Sequence, residues 1–282
     1  MYVRERASSN LGLLPAGADA RTAFRALTTG TAMHRAARLS PDERRLTFLR
    51  TEPSGQIMAV LPLDGDEPIM EIAVVGEAND VAWSPVDDRV AIAGSNDGIT
   101  LGIRIFRPGS AEQRDYLMGL VGADLDWAPN GQILYQRSGN QRFAMLDPAT
   151  GHDSLLIQPG EQGWVFRPRV SPDGRNLAFL WNRDGELGLW VSLLGDTATR
   201  RLAPGDLRPL RWSRDGRRLW AAERPVGDNR ERLVEVIYPE GTRRVRDTLP
   251  PGFELSDMTR DGRRLIVIRR ERQSDAWLIE LP

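Results

Sequence analysis

The stretch Ser171-Pro172-Asp173-Gly174 is the clearest copy of a turn that recurs along the whole 282-residue chain. The interval between successive copies stays between 42 and 46 residues. Such a steady period is typical of one four-stranded sheet per repeat, with the sheets arranged radially as the blades of a β-propeller. The weaker copies begin at Ser40, Ser84, Ala128, Ser213 and Thr259.

Each repeat divides into four strand-like stretches separated by turn residues. In the fourth repeat these stretches are Trp164–Val170, Asn176–Trp181, Gly188–Leu193 and Thr197–Leu202. The second stretch is apolar at consecutive positions, Leu177 to Leu180, which indicates a strand with both faces buried. A blade packed between two neighbours requires that pattern. The aromatic residues just before several turns, such as Trp83, are expected to pack between blades.

The sixth repeat is incomplete, and this predicts how the ring closes. It holds a second strand at Arg264–Arg269 and a third at Asp275–Leu281, after which the chain stops. Thr22–Gly30 parallels the fourth strand of the fourth repeat, so it is expected to supply the missing strand. Closure would remove an exposed sheet edge. The sequence therefore predicts an all-β, six-bladed propeller of four antiparallel strands per blade over residues 22–282, with residues 1–21 a linker or loosely packed arm.

Composition excludes several functions for this chain. The net charge is −1 and the pI is about 6.2, so direct nucleic-acid binding by this domain is not expected. No run approaches the roughly 18 apolar residues of a membrane span, which predicts no membrane insertion by the chain itself. All 38 basic residues are Arg. Residues 200–282 carry 19 Arg against 14 acidic residues, which indicates either solvated outer strands or a basic face for an acidic partner.

Catalytic and metal-binding patterns are scarce. There is no Cys, and the two histidines, His34 and His152, lie 118 positions apart. Neither a nucleophile elbow nor a Gly-rich phosphate loop of standard spacing occurs. The sequence therefore predicts no catalytic residues, no metal and no cofactor. Paired carboxylates for glycoside chemistry stay open, because the separation of acidic side chains is invisible in a sequence.

The candidate binding surface is the channel mouth where the innermost strands begin, since rigid scaffolds present binding residues on such loops. Aromatic and Arg side chains make good interface anchors. The alternative is that Trp164 and Phe166 pack between blades while Arg167 is solvated. The irregular hairpin Arg224–Arg232 is either a functional insertion or length variation. The candidates for binding a partner protein or small ligand are Trp164, Phe166, Arg167, Trp181 and Arg183.

The run Pro168–Phe179 resembles the repeat of TolB-like propellers, and Trp83-Ser84-Pro85 and Trp212–Leu219 resemble it too. The pattern departs where Arg214 and Arg260 replace the turn proline. The resemblance implies three contexts: an envelope protein that binds a lipoprotein, a propeller preceding a prolyl peptidase, or the C-terminal propeller of membrane-anchored winged-helix regulators similar to the CadC group. The ending Gln273–Leu281 looks most like the last of these.

These observations favour a non-enzymatic recognition module, the periplasmic or otherwise extracytoplasmic sensor or protein-interaction domain of a bacterial envelope or signalling protein, such as a transcriptional regulator. Tethering to the inner membrane would then need a segment beyond this chain, and a cytoplasmic location is the alternative. The other hypotheses are a lyase or hydrolase with its active site in the channel, and the regulatory propeller of a peptidase. If residues 1–21 transmit a signal, deleting them is expected to spare folding and uncouple signalling.

Overall fold

The protein is an all-β propeller of six four-stranded antiparallel sheets. The structure, a computed structural model, describes residues 2–64, 69–74, 76–95, 101–117, 121–137, 142–156, 163–196 and 198–277. The first strands of the sheets contact one another in ring order and surround a central channel. One short helix, α1, spans Ala20–Ala23. The predicted fold class is confirmed.

Five blades are built from consecutive strands, numbered here in chain order with the innermost strand of each blade first. Blade 1 contains β3 to β6, at Met33–Leu39, Arg45–Glu52, Gly55–Pro62 and Met70–Val74. Blade 2 contains β7 to β10, at Ala78–Trp83, Val90–Ser95, Leu101–Phe106 and Gln113–Leu117. Blade 3 contains β11 to β14, at Val121–Trp127, Ile133–Arg137, Arg142–Leu146 and Asp153–Leu155. Blade 4 contains β15 to β18, at Val165–Val170, Asn176–Arg183, Glu186–Leu193 and Thr199–Pro204. Blade 5 contains β19 to β22, at Leu207–Trp212, Arg218–Glu223, Arg232–Ile237 and Arg243–Thr248.

Blade 6 joins the two ends of the chain, but not in the predicted way. Its inner strands are β23 (Phe253–Met258) and β24 (Arg264–Trp277), and its outer strands are β1 (Tyr2–Pro15) and β2 (Arg25–Ala26). The N-terminal segment therefore supplies two strands instead of one. The predicted fourth strand is confirmed in β2.

The interpretation of residues 1–21 as a loose arm is wrong, because β1 pairs with β24 along its full length, from Tyr2 opposite Trp277 to Pro15 opposite Arg264. The predicted third strand at Asp275–Leu281 is also wrong as far as the described residues go, since positions 275–277 continue the second strand; residues 278–281 lie outside them. A single uninterrupted β24 leaves the third position of the sheet to β1, whose Leu11 and Leu14 are fully buried.

The hydrophobic core is divided into six clusters, and each lies between two adjacent blades. The second strands are buried on both faces, as predicted, including the run Leu177 to Leu180. Trp83 and Trp212 are buried in these clusters and tie neighbouring blades together. The Trp83 indole N–H donates to the Arg38 carbonyl at 3.2 Å, and that of Trp212 donates to the Arg169 carbonyl at 2.9 Å.

Four of the repeated turns, those that begin at Ser40, Ser171, Ser213 and Thr259, share one hydrogen-bond pattern. The Ser171 hydroxyl donates to the Asp173 carboxylate at 2.5 Å and accepts the Asn176 backbone N–H at 2.9 Å. Gly174 takes a left-handed conformation with φ of +72°. In the first repeat Glu43 stands at this glycine position with φ of +62°, and its carboxylate accepts the Arg260 backbone N–H at 2.7 Å. The side chain thus links the turns of blades 1 and 6.

Deleting residues 1–21 is expected to abolish cooperative folding, because it removes the third strand of blade 6 and uncovers the edge of β24. The milder Leu14→Ala change should lower the free energy of unfolding by about 2–5 kcal/mol, since it opens a cavity in the core between blades 5 and 6. Equilibrium urea unfolding measures both effects. Leu193→Ala, at an exposed position of β17, is the matched control and should change stability by less than about 0.5 kcal/mol. Cooperative unfolding of the deletion variant would contradict this role of β1.

Candidate functional site: the central channel and its two mouths

Each innermost strand carries a register shift that reshapes the channel wall. The shifts interrupt all six pairings between first and second strands. A bulge inserts an unpaired residue and bends the strand, which re-aims the side chains beside it. In blades 1 and 4 the bulge places Ala36 and Arg167 in the left-handed region, with φ of +53° and +54°. Such conformations cost a non-glycine residue on the order of 1 kcal/mol.

The bulges place buried charges across the channel. Arg38 lies 3.3 Å from Asp80, and both side chains are almost completely buried. The same Asp80 carboxylate accepts the Leu125 backbone N–H from blade 3 at 3.1 Å. Asp257 of blade 6 accepts the Leu39 backbone N–H at 2.8 Å. These contacts join blades 1, 2, 3 and 6, so the buried charged side chains connect the inner strands of different blades.

Burial perturbs the titration of several channel groups. Desolvation raises the pKa of Asp126, whose carboxylate accepts the Val170 backbone N–H at 2.7 Å. Desolvation likewise raises the pKa of Asp124, although the nearby Arg167 guanidinium at 3.6 Å opposes the shift. Burial, with the repulsion of Arg38, lowers the pKa of Arg169 to about 10. The carboxylates described above in the channel accept hydrogen bonds from backbone N–H groups or lie near an Arg. These contacts connect the inner strands, and they do not leave these carboxylates free to act as a general acid and base.

The turn-side mouth is the end of the channel at the repeated turns. It is a cavity of about 110 Å³ rimmed by four turn prolines, Pro41, Pro85, Pro129 and Pro172. Arg260 completes this rim in blade 6, where the proline is missing. Desolvation lowers the pKa of Arg260, and the neighbouring Arg211 adds to the shift.

The entry-side mouth is the opposite end, where the innermost strands begin. Three of the predicted binding residues gather there at the start of β15. Trp164 is 52% exposed, and its ring lies 6.2 Å from that of the half-buried Phe166. Arg167, at the left-handed bulge, lines the cavity of this mouth. The Trp164 backbone N–H donates to the side-chain oxygen of Asn182 at 2.5 Å, which fixes the start of the strand.

The other two predicted binding residues form a separate group. Trp181 is fully buried in the core between blades 3 and 4, so it offers no surface to a partner, and its place among the binding candidates is wrong. Arg183 lies 5.0 Å above the Trp181 ring and 5.4 Å above that of Trp190. It also pairs with Asp184 at 3.8 Å. Arg183 therefore covers a buried aromatic cluster.

The irregular insertion Arg224–Arg232 contributes a mouth residue that the sequence analysis missed. Its Glu231 is buried, pairs with both Arg208 and Arg224, and accepts the Leu255 backbone N–H at 2.7 Å. The insertion thereby fastens blade 5 to blade 6 at the entry-side mouth. The length and charge of the insertion mark it as irregular in the sequence. No local pattern, however, predicts that the Glu231 side chain is buried against blade 6.

The two histidines occupy different parts of the fold. His34 in β3 is buried, and its ring nitrogen contacts the Ser9 carbonyl of β1, while its backbone N–H donates to the Ser9 hydroxyl at 2.7 Å. Desolvation lowers the pKa of His34. His152 is exposed in the outer turn of blade 3. Among the described residues, no group of three or more His, Asp or Glu side chains is placed to hold a metal ion. No helix in the described ranges has the length and apolar character to cross a membrane.

Removing one partner of the buried pair is expected to be costly. Asp80→Ala leaves the Arg38 charge buried and frees the Leu125 N–H, so the free energy of unfolding should fall by about 3–5 kcal/mol. Asp115→Ala breaks the outer-strand pair with Arg104 and should cost less than about 1 kcal/mol. Urea unfolding monitored by Trp fluorescence compares the two. Equal losses of unfolding free energy in the two variants would show that Asp80 does not stabilise the contacts between the inner strands.

Comparison with solved structures identifies the fold. Neither a protein-family model nor a curated protein matches the chain. A putative TolB from Agrobacterium tumefaciens aligns with a TM-score of 0.72 at 19% identity, covering 95% of this chain and 99% of that one. TolB from Acinetobacter baumannii aligns with a TM-score of 0.65 at 15% identity, over 86% of this chain and 65% of that one. A chain of a nidogen–laminin complex aligns with a TM-score of 0.63 at 12% identity, covering 93% and 98%. At these identities the likeness establishes one property, a TolB-like six-bladed β-propeller fold.

Proposed function

We propose that this protein is a non-enzymatic recognition module that binds a partner protein at its entry-side mouth. The observation that carries the proposal is the exposed Trp164 beside Phe166 and Arg167 on the rim of that mouth. Trp and Arg are the residue types that most often dominate the binding energy of interfaces. This indole is half-exposed, whereas the indoles of Trp83, Trp127, Trp181, Trp212 and Trp220 are buried and that of Trp190 is half-buried.

The rim is also preorganised, which lowers the entropic cost of binding. Asn182 anchors the backbone of Trp164, and the neighbouring aromatic ring of Phe166 restricts the indole. Arg167 is held in a left-handed conformation by contacts of its backbone N–H and guanidinium with the buried Asp124 carboxylate. Backbone strain of this kind concentrates at functional positions. The left-handed bulge therefore supports a binding role for Arg167 in addition to its structural role in the channel wall.

We place the module in the extracytoplasmic sensor or interaction part of a bacterial envelope or signalling protein. The fold likeness to TolB structures from two bacteria supports an envelope setting, and the resemblance of Gln273–Leu281 to the closing strand of membrane-anchored winged-helix regulators supports the signalling context. Only residues 273–277 of that stretch lie within the described structure. The engaged carboxylates of the channel give the lyase or hydrolase alternative no support.

Site-specific photocrosslinking tests the binding surface. A benzoylphenylalanine residue in place of Trp164 should capture a discrete partner in native cells. The same residue in place of Val245, which is equally exposed on the outer strand of blade 5, should capture none. Trp164→Ala in a chain carrying the crosslinker at Phe166 should reduce capture about tenfold or more, since hot-spot truncations cost 2 kcal/mol or more. Indistinguishable adducts at positions 164 and 245 would contradict the proposal.

Cell fractionation tests the setting. An antibody against this chain should detect a band in the inner-membrane or periplasmic fraction of the native host. A band well above 31.5 kDa in the inner membrane is expected if the propeller is the sensor part of an anchored regulator. Recovery of the protein in the cytosol alone would overturn the extracytoplasmic assignment while leaving the binding surface open to the crosslinking test.

A further inference from the structure

The cavity of the entry-side mouth has an unusual concentration of positive charge. It measures about 120 Å³ and lies between blades 4, 5, 6 and 1. Its only acidic lining residue among the described positions is Glu254. Its arginines are Arg35, Arg38, Arg167, Arg169, Arg208 and Arg270. Since like charges repel strongly in a partly desolvated space, such a set requires compensation.

Most of these arginines have a carboxylate nearby that accounts for their position. Arg38 pairs with Asp80, Arg167 lies near Asp124, Arg208 pairs with Glu231, and Arg270 lies 2.9 Å from Glu254. Among the described residues, Arg35 has only the highly exposed Glu77 at 3.9 Å as an acidic neighbour, and its guanidinium also donates to the Ala78 carbonyl at 2.7 Å. An exposed pair at that distance contributes little.

Arg169 is the exception at the centre of the cluster. The residue is only 6% exposed, and it lines the cavities of both mouths. Its guanidinium donates to the main-chain carbonyls of Leu210 at 2.8 Å and Leu125 at 3.3 Å, and to that of Pro168. Within the described residues it makes no direct ion pair; the carboxylates of Asp126 and Asp80 attract it from farther away, but burial still lowers its pKa. A buried cation without a paired anion is costly.

Three buried N–H groups of the cavity arginines also lack an acceptor. They are the Nη2 group of Arg169 and the Nε groups of Arg35 and Arg208, on three different blades. Buried donors are almost always satisfied in folded proteins. An Arg guanidinium presents its donors in a planar fork that matches the oxygens of a carboxylate or phosphate. Unsatisfied donors and an excess of arginines over acidic lining residues therefore coincide in one cavity.

We propose that the entry-side mouth is a binding site for one small oxyanion, a carboxylate or phosphoryl group, held by Arg169, Arg208 and Arg35. A cavity of about 120 Å³ suits a single oxyanion group and not a large ligand. Arg167, which follows Trp164 and Phe166 in the chain, lines this cavity, so the inference rests on the proposed function and deepens it: the partner or ligand recognised at this mouth inserts an acidic group into the cavity.

Isothermal titration calorimetry tests the site with sodium phosphate and sodium succinate, each at constant ionic strength set with sodium chloride. The wild-type chain should show one saturable site, and the preferred anion identifies the source as phosphoryl or carboxylate. Arg208→Gln and Arg35→Gln should each weaken binding about tenfold, the effect of losing a hydrogen bond to a charged group. Arg244→Gln is the matched control, because it removes the same charge from an exposed outer-strand position.

Two results would overturn the proposal: no saturable heat with either anion, or equal binding by wild type and both cavity variants. If Arg208→Gln destabilises the fold through the loss of its contact with Glu231, Arg35→Gln decides alone, because no buried acidic side chain among the described residues pairs with Arg35. The outcomes are separable from those of the proposed function. Crosslinking at Trp164 without anion binding leaves a partner surface with no acidic anchor, and anion binding without crosslinking leaves a small-ligand site.

Discussion

The antiparallel pairing of β1 with β24 closes the ring, and the remaining blades depend on it. Without β1, blade 6 would end on the unpaired edge of β24, and the clusters that flank it would lose Leu11, Leu13 and Leu14. Every other blade is completed by neighbours in sequence, so each has a local route to its four strands. Blade 6 has none. The buried contact of His34 with Ser9 extends the same closure to blade 1.

A second constraint operates inside the ring. The innermost strands carry many charged side chains, so the channel is not apolar. The bulges orient these side chains so that they form hydrogen bonds with backbone N–H groups or lie near opposite charges. Asp80 and Asp257 each connect strands from different blades. The basic side of the channel, from Arg38 round to Arg208, is less completely matched. That asymmetry is the basis of the binding proposed at the entry-side mouth.

Much of the fold was predictable because each repeat is marked by the same local turn residues. The period, the doubly buried second strands and the strand at Arg25–Ala26 all follow from residue pattern. The role of residues 2–15 did not follow, because a strand in the closing blade needs no turn motif and the repeat period does not reach it. Trp181 was misplaced because a tryptophan before a hairpin carries the same local signal whether it faces a neighbour or solvent. The roles of Glu231 and Arg169 were not predicted, because bulges and long-range contacts between blades produce no periodic pattern in the sequence.

The closing blade also sets the order of events during synthesis. Val3 and Ala276 are register partners although 273 positions separate them, so their contact forms only after all the blades between them have been synthesised. Contacts of such sequence separation carry a large loop-closure entropy and slow the final step of folding. Until that step, blade 6 lacks its two outer strands, and the edge of β24 that β1 covers is unpaired. Pairing of β1 then covers that edge and closes the ring.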